Sequence, residues 1–166
     1  TEEEKRYLAR YMEEIKTIKA EEAGERQKLF AASIEGDALA RGRLIELYLE
    51  KVVEVAKEMY HKEVFLGDLI QEGNVSLMLA LDELKSAEEA HGKIMEEVRA
   101  GMQMLIEEQT EVKRRDHTLL EKYTDLDDNI KKLKEETGRD VTIEEVSAFL
   151  DMTEEEINDI LNLGEQ

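Results

Sequence analysis

Residues 68–84, DLIQEGNVSLMLALDEL, decide the fold expected for this chain of 166 residues. Apolar residues recur at helical intervals through the stretch, at Leu69, Ile70, Leu77, Ala80, Leu81 and Leu84. This spacing predicts an α-helix with one buried face. Gly73 and Asn74 lie on or near that face, where a small residue permits another helix to approach closely. Asp68, Gln71 and Glu72, at i, i+3 and i+4, share one face of the same helix.

Composition excludes several classes of protein. The chain has no cysteine, so it has neither a disulfide framework nor a thiolate zinc site, in keeping with a reducing cytoplasm. Its first residues, TEEEKRYLAR, are unlike a signal peptide, and no apolar run is long enough for a membrane span. The net charge of −19 repels polyanions unless a local basic stripe overrides it, and it favours either a basic protein partner or simple solubility.

The rest of the chain is also expected to be helical, so the predicted fold class is all-α. Apolar periodicity indicates further helices over 3–22, 25–35, 38–60, 86–112 and 114–136. Asp37 is placed to cap the helix that follows it, and Gly138 to end a helix in the left-handed conformation. Thr142 and Thr153 each begin a capping box and open a short helix. These two short helices resemble a helix-turn-helix.

The sequence contains no pattern that indicates an enzyme. His61, His91 and His117 are isolated, without a carboxylate pattern suited to a metal site or a catalytic triad. HExxH, Walker and GxGxxG motifs are absent. The aspartates at 125, 127 and 128 lack the glycine and the closing glutamate of a calcium loop. We therefore expect no catalytic activity, no cofactor, no metal and no small-molecule substrate.

DLIQEGNVSLMLALDEL closely resembles the core-polymerase-binding helix of bacterial sigma-70 family factors, in which an Asp-Leu-Ile-Gln-Glu-Gly-Asn run leads into Gly-Leu-Met. The likeness continues in order along the chain. YLARYMEEI (7–15) is similar to the family's first helix, and IEGDALARGRLIELYLEKVVEVAKEMY (34–60) to its next segment. EETGRDVTIEEVSAFLDMTEEEINDIL (135–161) is similar to the family's third region.

The resemblance implies a partner and a docking site. In the family, this helix binds the coiled coil of the clamp in the largest subunit of core RNA polymerase. Asp68, Gln71, Glu72 and Asn74 would then present carboxylates and amides to basic residues of that coiled coil. Leu69, Ile70, Leu77 and Leu81, on the opposite side, would belong to the core. The alternative is that the polar residues only solvate the helix.

The chain departs from the family where promoter DNA is captured. Family members carry a basic and aromatic run there, which stacks flipped bases and holds phosphates. The corresponding run here, 85–109, has no aromatic residue, and Glu96 and Glu97 stand where the family has adjacent tryptophans. Arg99 is the one position retained there. The other candidates for residual DNA contact are Lys113, Arg114, Arg115 and His117.

The third region departs as well. Arg115 stands where the family has proline, and the would-be recognition helix, TEEEINDILN (153–162), begins with three glutamates. These glutamates suit the helix dipole and not a phosphate. The alternative for the basic residues is an ordinary role in salt bridges on solvated helix faces.

The sequence thus predicts a sigma-factor-like helical bundle followed by a small helix-turn-helix-like C-terminal unit. The first domain, 1–112, is region-2-like with the preceding first-region helices, and the second, 113–166, is region-3-like. The predicted function is a cytoplasmic sigma-70-like transcription protein that binds core RNA polymerase through 68–84, with promoter binding weak or lost. One alternative is a diverged sigma factor whose promoter contacts lie elsewhere or in a partner. A second is a sigma-like regulator that competes for the clamp. A third is a helical protein-interaction module that has lost polymerase binding.

Overall fold

The computed structural model describes residues 1–163, in which all regular elements are helices. In chain order they are α1 (Glu2–Ile15), α2 (Glu25–Ile34), α3 (Ala38–Glu58), α4 (Leu66–Glu83), α5 (Ala90–Thr137), α6 (Ile143–Leu150) and α7 (Glu154–Leu163). The predicted all-α class is confirmed. The chain divides into two compact units, the first ending at Thr110 and the second beginning at Glu111, so the division falls within α5.

The core of the first unit lies between α3, α4 and the beginning of α5. Leu44, Tyr48, Val52 and Ala56 repeat every fourth residue along α3, and each is fully buried. Because residues four apart lie on one side of a helix, they form a continuous apolar stripe. The stripe belongs to the same buried cluster as residues of α4 and as Ile94, Val98 and Met102 of α5. Phe30 brings α2 into this cluster.

The cap at the start of α3 and the cap at the end of α5 lie where the sequence predicts them. The Asp37 carboxylate accepts hydrogen bonds from the backbone N–H groups of Leu39 (3.0 Å) and Ala40 (3.2 Å), which confirms Asp37 as the N-cap of α3. Gly138 has φ 71°, and its N–H donates to the Lys134 carbonyl at 2.8 Å. The left-handed C-cap predicted at Gly138 is therefore also confirmed.

The first helix is shorter than predicted. A helix over 3–22 was expected, but α1 ends at Ile15. The hydroxyl of Thr17 donates to the Glu14 carbonyl at 2.7 Å, so a side chain satisfies a carbonyl at the end of the helix. The segment that follows is held by the Arg43 guanidinium, which donates to the Ala20 carbonyl at 3.2 Å. Tertiary contacts thus replace the helix that apolar spacing alone predicts.

The two helices predicted over 86–112 and 114–136 are wrong as separate elements, because α5 runs from Ala90 to Thr137 without a break. The chain has no proline, and no glycine lies between Gly101 and Gly138. Nothing in this stretch therefore ends a helix. The weaker apolar periodicity near 112 reflects exposed positions, such as Val112, which is 53% exposed, and not a turn.

The second unit packs α6 and α7 against the later part of α5. Its core contains Leu126 of α5, Val146 of α6 and Ile157 of α7. Thr142 accepts a hydrogen bond from Glu145 N at 3.2 Å, and Thr153 accepts one from Glu156 N at 3.1 Å. Both predicted caps are confirmed. Between the helices, Asp151 adopts φ 54°, a left-handed conformation that turns the chain within three residues.

Candidate functional site

The candidate site is α4, and its apolar half anchors it in the first unit. Leu69, Ile70 and Leu77 are fully buried, and Leu81 is 3% exposed. The prediction that these four residues belong to the core is confirmed. At about 1.5–3 kcal/mol for each buried aliphatic side chain, this face holds the helix firmly enough that the opposite face is presented in a defined orientation.

Gly73 lies where α4 approaches both α3 and α5. A Cβ atom at this position would meet the methyl group of Met102 in a severe clash and would lie 2.7 Å from Cγ1 of Val52. The close approach predicted from a small residue is therefore present. Gly73 does not interrupt the helix, since α4 continues through it to Glu83.

A polar patch occupies the outer face of α4. Asp68 and Gln71 are exposed, and Glu72 is half-buried. The three side chains lie on the same face, because positions i, i+3 and i+4 are neighbours on an α-helix. Within residues 1–163, neither carboxylate of the patch forms an ion pair. Two uncompensated negative charges beside an amide suit a basic surface.

Asn74 is directed partly inward and differs from the other predicted site residues. Its Nδ2 donates to the hydroxyl of Tyr11 in α1 at 2.9 Å, whereas its Oδ1 is buried without a hydrogen-bond partner among the described residues. Helix α1 thus flanks the polar patch and holds the Asn74 amide.

The two tyrosines of α1 form a ring ladder beside α4. Tyr7 stacks on Tyr11 with ring centroids 6.1 Å apart and meets Phe65 edge-on at 5.6 Å. Burial raises the pKa of the Tyr7 hydroxyl, and the neighbouring Tyr11 and Asp68 raise it further. Tyr7 therefore remains a neutral phenol at physiological pH.

Sequence reasoning missed the apolar residues of the same outer face. Val75, Met78 and Leu79 are 49%, 38% and 59% exposed. With 3.6 residues per turn, they continue the face that begins at Asp68 and Gln71. The signal was present in the sequence, since positions 68, 71, 75, 78 and 82 alternate steps of three and four. The outer face of α4 therefore has an apolar centre with an acidic and amide-bearing end.

Four of the candidate DNA-contacting residues are exposed, but each lies against a carboxylate. Arg99 donates to Glu58 at 2.9 Å, which links α5 to α3. Arg114 and Arg115 both reach the carboxylate of Glu111, at 2.8 Å and 3.3 Å. In addition, His117 Nε2 lies 2.9 Å from the Glu121 carboxylate. Lys113 is exposed as well. The structure thus brings Arg114 and Arg115 together around one glutamate, which offsets part of their charge.

The outer face of α5 within the first unit is acidic and carries no Phe, Tyr or Trp. Glu96, Glu97 and Arg99 are exposed there, as is Met104 at 62%. The run 85–109 contains six glutamates against three cationic residues, Lys85, Lys93 and Arg99. All eight aromatic residues of the chain lie outside residues 66–122. A base flipped against this face would find no Phe, Tyr or Trp to stack on. The phosphates of the same strand would be repelled by the glutamates.

The histidines take structural roles in the described part of the chain. His91 Nδ1 lies 2.7 Å from the hydroxyl of buried Tyr48, and Nδ1 of His61 accepts from the Glu63 N–H at 3.0 Å. Burial lowers the pKa of His91, and the nearby Arg26 lowers it further. Among residues 1–163, no three His, Asp or Glu side chains are grouped so as to hold a metal ion. No helix in this range is both long and apolar enough to cross a membrane.

Comparison with known proteins finds sigma factors. The family model described as Sigma-70 region 3 matches residues 121–166. The RNA polymerase sigma factor SigA of a Bacillus species is 26% identical over 163 residues, which cover 94% of this chain and 42% of that protein. The SigA proteins of Listeria monocytogenes and Listeria innocua are each 28% identical over 158 residues, with the same coverage.

Over most of its length the chain is thus similar to sigma-70 family factors, and residues 121–166 match region 3 of that family. It spans less than half of the length of the sigma factors that it matches. The region 3 match includes the later part of α5 together with α6 and α7, the elements that form the second unit. In the first unit, the outer face of α4 presents Asp68 and Glu72, neither of which forms an ion pair within residues 1–163.

Proposed function

We propose that this chain binds core RNA polymerase through the outer face of α4, at the clamp coiled coil of the largest subunit, and acts in the cytoplasm as a non-enzymatic transcription protein. One observation carries the proposal. Asp68, Gln71 and Glu72 are exposed or half-buried on a face that also exposes Val75, Met78 and Leu79. An apolar centre beside polar groups is the usual composition of a protein interface.

Charge supports the choice of a basic coiled coil as partner. Asp68 and Glu72 have no cationic neighbour within ion-pair distance in residues 1–163, so their charges are available to a partner. The chain as a whole carries −19 and would be attracted to a basic surface before contact. Asn74 lies at the edge of the proposed interface, and its amide nitrogen already donates a hydrogen bond to the Tyr11 hydroxyl.

The experiment is a competition for core RNA polymerase between this chain and the host's main sigma factor. Gln71→Ala combined with Glu72→Ala is expected to abolish binding, because it removes an amide and a carboxylate from the docking face. Neither side chain belongs to the buried core, so the circular dichroism of the variant should match that of the unsubstituted chain.

A matched control removes the same two residue types elsewhere. Gln103 donates to Glu107 at 3.2 Å on the exposed face of α5. Gln103→Ala combined with Glu107→Ala should compete as well as the unsubstituted chain. If the variant altered at 71 and 72 competes equally well, the docking assignment is wrong. If the unsubstituted chain fails to compete even at low salt, polymerase binding itself is wrong, and the interaction-module alternative remains.

The second part of the proposal is that this segment captures promoter DNA weakly or not at all. Stacking contributes ~1–3 kcal/mol per base on aromatic side chains, and α5 offers no Phe, Tyr or Trp between residues 90 and 122. The pairing of Arg99 with Glu58, and of Arg114 and Arg115 with Glu111, further reduces attraction for phosphate. These features favour a regulator at the clamp, or a sigma factor whose promoter contacts lie elsewhere.

Restoring the rings tests this second part. Glu96→Trp with Glu97→Trp should bind a single-stranded oligonucleotide of minus-ten type at least about tenfold more tightly than the unsubstituted chain, a gain of ~1.4 kcal/mol. Fluorescence anisotropy of the labelled oligonucleotide measures it. Glu107→Trp with Glu108→Trp, also exposed on α5, is the matched control and should gain less. Absence of any gain at 96 and 97 would show that the acidic surroundings, and not only the missing rings, prevent capture.

A further inference from the structure

The second unit contains an apolar groove that the proposed polymerase contact does not use. Its apolar walls include Leu119 and Leu126 of α5, Leu150 at the end of α6, Met152 of the turn before α7, and Ile160 and Leu163 of α7. The groove has a volume of about 570 Å³. Leu119 and Leu163 remain 38% and 43% exposed, so apolar surface faces solvent there. We call this feature the α5–α7 groove.

The groove extends along α5 beyond this cavity. A neighbouring cavity of about 380 Å³ shares Leu119 and Leu163 and adds Leu120 and Tyr123 to the walls. Together the two cavities follow α5 from residue 116 to residue 129, which is about 20 Å at 1.5 Å per residue. Leu119, Tyr123 and Leu126 recur at i, i+4 and i+7, the spacing with which one helix receives the apolar face of another.

The rim of the groove is acidic. Asp116, Asp125, Glu156 and Asp159 line the two cavities, and Lys122 is the one cationic side chain among the lining residues. None of these four carboxylates forms an ion pair among the described residues, whereas Glu111 and Asp127 nearby are both paired. The negative charge of the rim is therefore left for a ligand of opposite charge.

We propose that the α5–α7 groove binds a basic amphipathic helix of a partner protein. The apolar face of that helix fills the groove, and lysine or arginine residues along its flanks pair with the acidic rim. A second copy of this chain does not fit, because a chain of net charge −19 brings more negative charge to an acidic rim. Charge complementarity of this kind speeds association and selects the partner.

The probe is a synthetic helical peptide of about 14 residues, long enough to span about 20 Å, with leucine on one face and lysine on the others. A peptide with the same leucines and glutamate in place of lysine is its counterpart, and one with glutamine in place of lysine is a neutral reference. Anisotropy of the labelled peptides on the full chain should show the lysine peptide binding at least about tenfold more tightly than either of the others.

Charge variants locate the site. Asp125→Asn, Glu156→Gln and Asp159→Asn together should weaken binding of the lysine peptide about tenfold. The control set, Glu135→Gln, Glu144→Gln and Glu154→Gln, removes the same charge from the second unit outside the groove and should change binding less than about twofold. Equal weakening by both sets would mean that the peptide is attracted by total charge alone, and the proposal would be overturned.

An apolar variant tests the wall of the groove. Leu119→Ser should weaken binding of the lysine peptide, whereas Phe149→Ser, at a residue that is 51% exposed and does not line the groove, should not. The methyl resonance of Met152 should shift on peptide addition. No binding of the lysine peptide, equal binding of the glutamine peptide, or dimerisation of the chain through the groove would each overturn the proposal. The assay contains no polymerase, so its result is independent of docking through α4.

Discussion

At the scale of single residues, the absence of a Cβ atom at Gly73 allows α4 to lie close to α3 and α5. The helix carries glycine at a point where Val52 of α3 and Met102 of α5 leave no room for a Cβ atom. Glycine in a helix interior costs roughly 0.5–1 kcal/mol relative to alanine. The cost is accepted here because the close approach allows the three helices to share one core.

Gly73→Ala should therefore destabilise the first unit by about 1–3 kcal/mol, because overpacking outweighs the gain in helix propensity. Urea unfolding followed by circular dichroism measures the change in the free energy of unfolding.

The matched control is Gly92→Ala in α5, where nothing lies within 4 Å of the added Cβ atom. This variant should be as stable as the unsubstituted chain or more stable, by up to about 1 kcal/mol. Equal stability of the two variants would contradict the close packing inferred at Gly73.

At the scale of elements, α1 determines how α4 begins. The N-cap of α4 is Phe65, whose side chain cannot accept a hydrogen bond. Glu4 of α1 replaces the missing cap, since its carboxylate accepts from the Leu66 N–H at 3.1 Å and from the Tyr60 hydroxyl at 3.2 Å. Burial raises the pKa of Glu4, but the hydrogen bonds from Leu66, Thr1 and Tyr60 outweigh it and leave the pKa lowered.

Glu4→Gln should destabilise the first unit by about 1–2 kcal/mol at neutral pH, because the amide has one acceptor oxygen where the carboxylate uses two. The lowered pKa means that the charged form stabilises the fold above the ordinary pKa of 4.5, and that this contribution is lost as the pH falls below it. The difference between the two proteins should therefore shrink in acid.

Glu3→Gln is the control, since Glu3 is exposed beside Glu4 and should change stability little at any pH. Urea midpoints between neutral pH and about pH 3 provide the measurement. A Glu4→Gln variant that unfolds like the Glu3→Gln variant across this range would show that Glu4 does not cap α4.

At the scale of the whole molecule, the net charge of −19 dominates the electrostatics. The ion pairs of the described residues lie mostly on the surface, where each contributes ~0–1 kcal/mol. Repulsion among excess carboxylates opposes folding, and salt screens it over about 10 Å at moderate ionic strength. The same screening weakens attraction to a basic partner.

Added sodium chloride should therefore raise the thermal midpoint of the chain while it weakens competition for core RNA polymerase. Each 1 kcal/mol of repulsion relieved corresponds to a rise of ~2–4 °C for a chain of this size. A thermal midpoint that falls with salt would mean that surface ion pairs outweigh the repulsion. Polymerase binding that is insensitive to salt would argue against a basic docking surface.

Local pattern sufficed for a large part of the fold. The all-α class, the buried half of α4 and the caps at Asp37, Thr142 and Thr153 were predictable, because periodicity and capping involve residues at most a few positions apart. The exposed face of α4 follows from the same periodicity, including Val75, Met78 and Leu79, which were overlooked. The likeness to sigma-70 family factors was also readable, from the stretch at 68–84 and the order of the flanking segments.

Tertiary structure alone decided the features that depend on residues far apart in the chain. The Tyr11 hydroxyl takes the amide of Asn74, Glu4 caps α4, and Glu58 pairs with Arg99. Periodicity places each side chain on a face of its own helix but does not specify which helix that face meets. The sequence by itself therefore determined the helices and the face of α4, and packing decided which polar groups of that face stayed free for a partner.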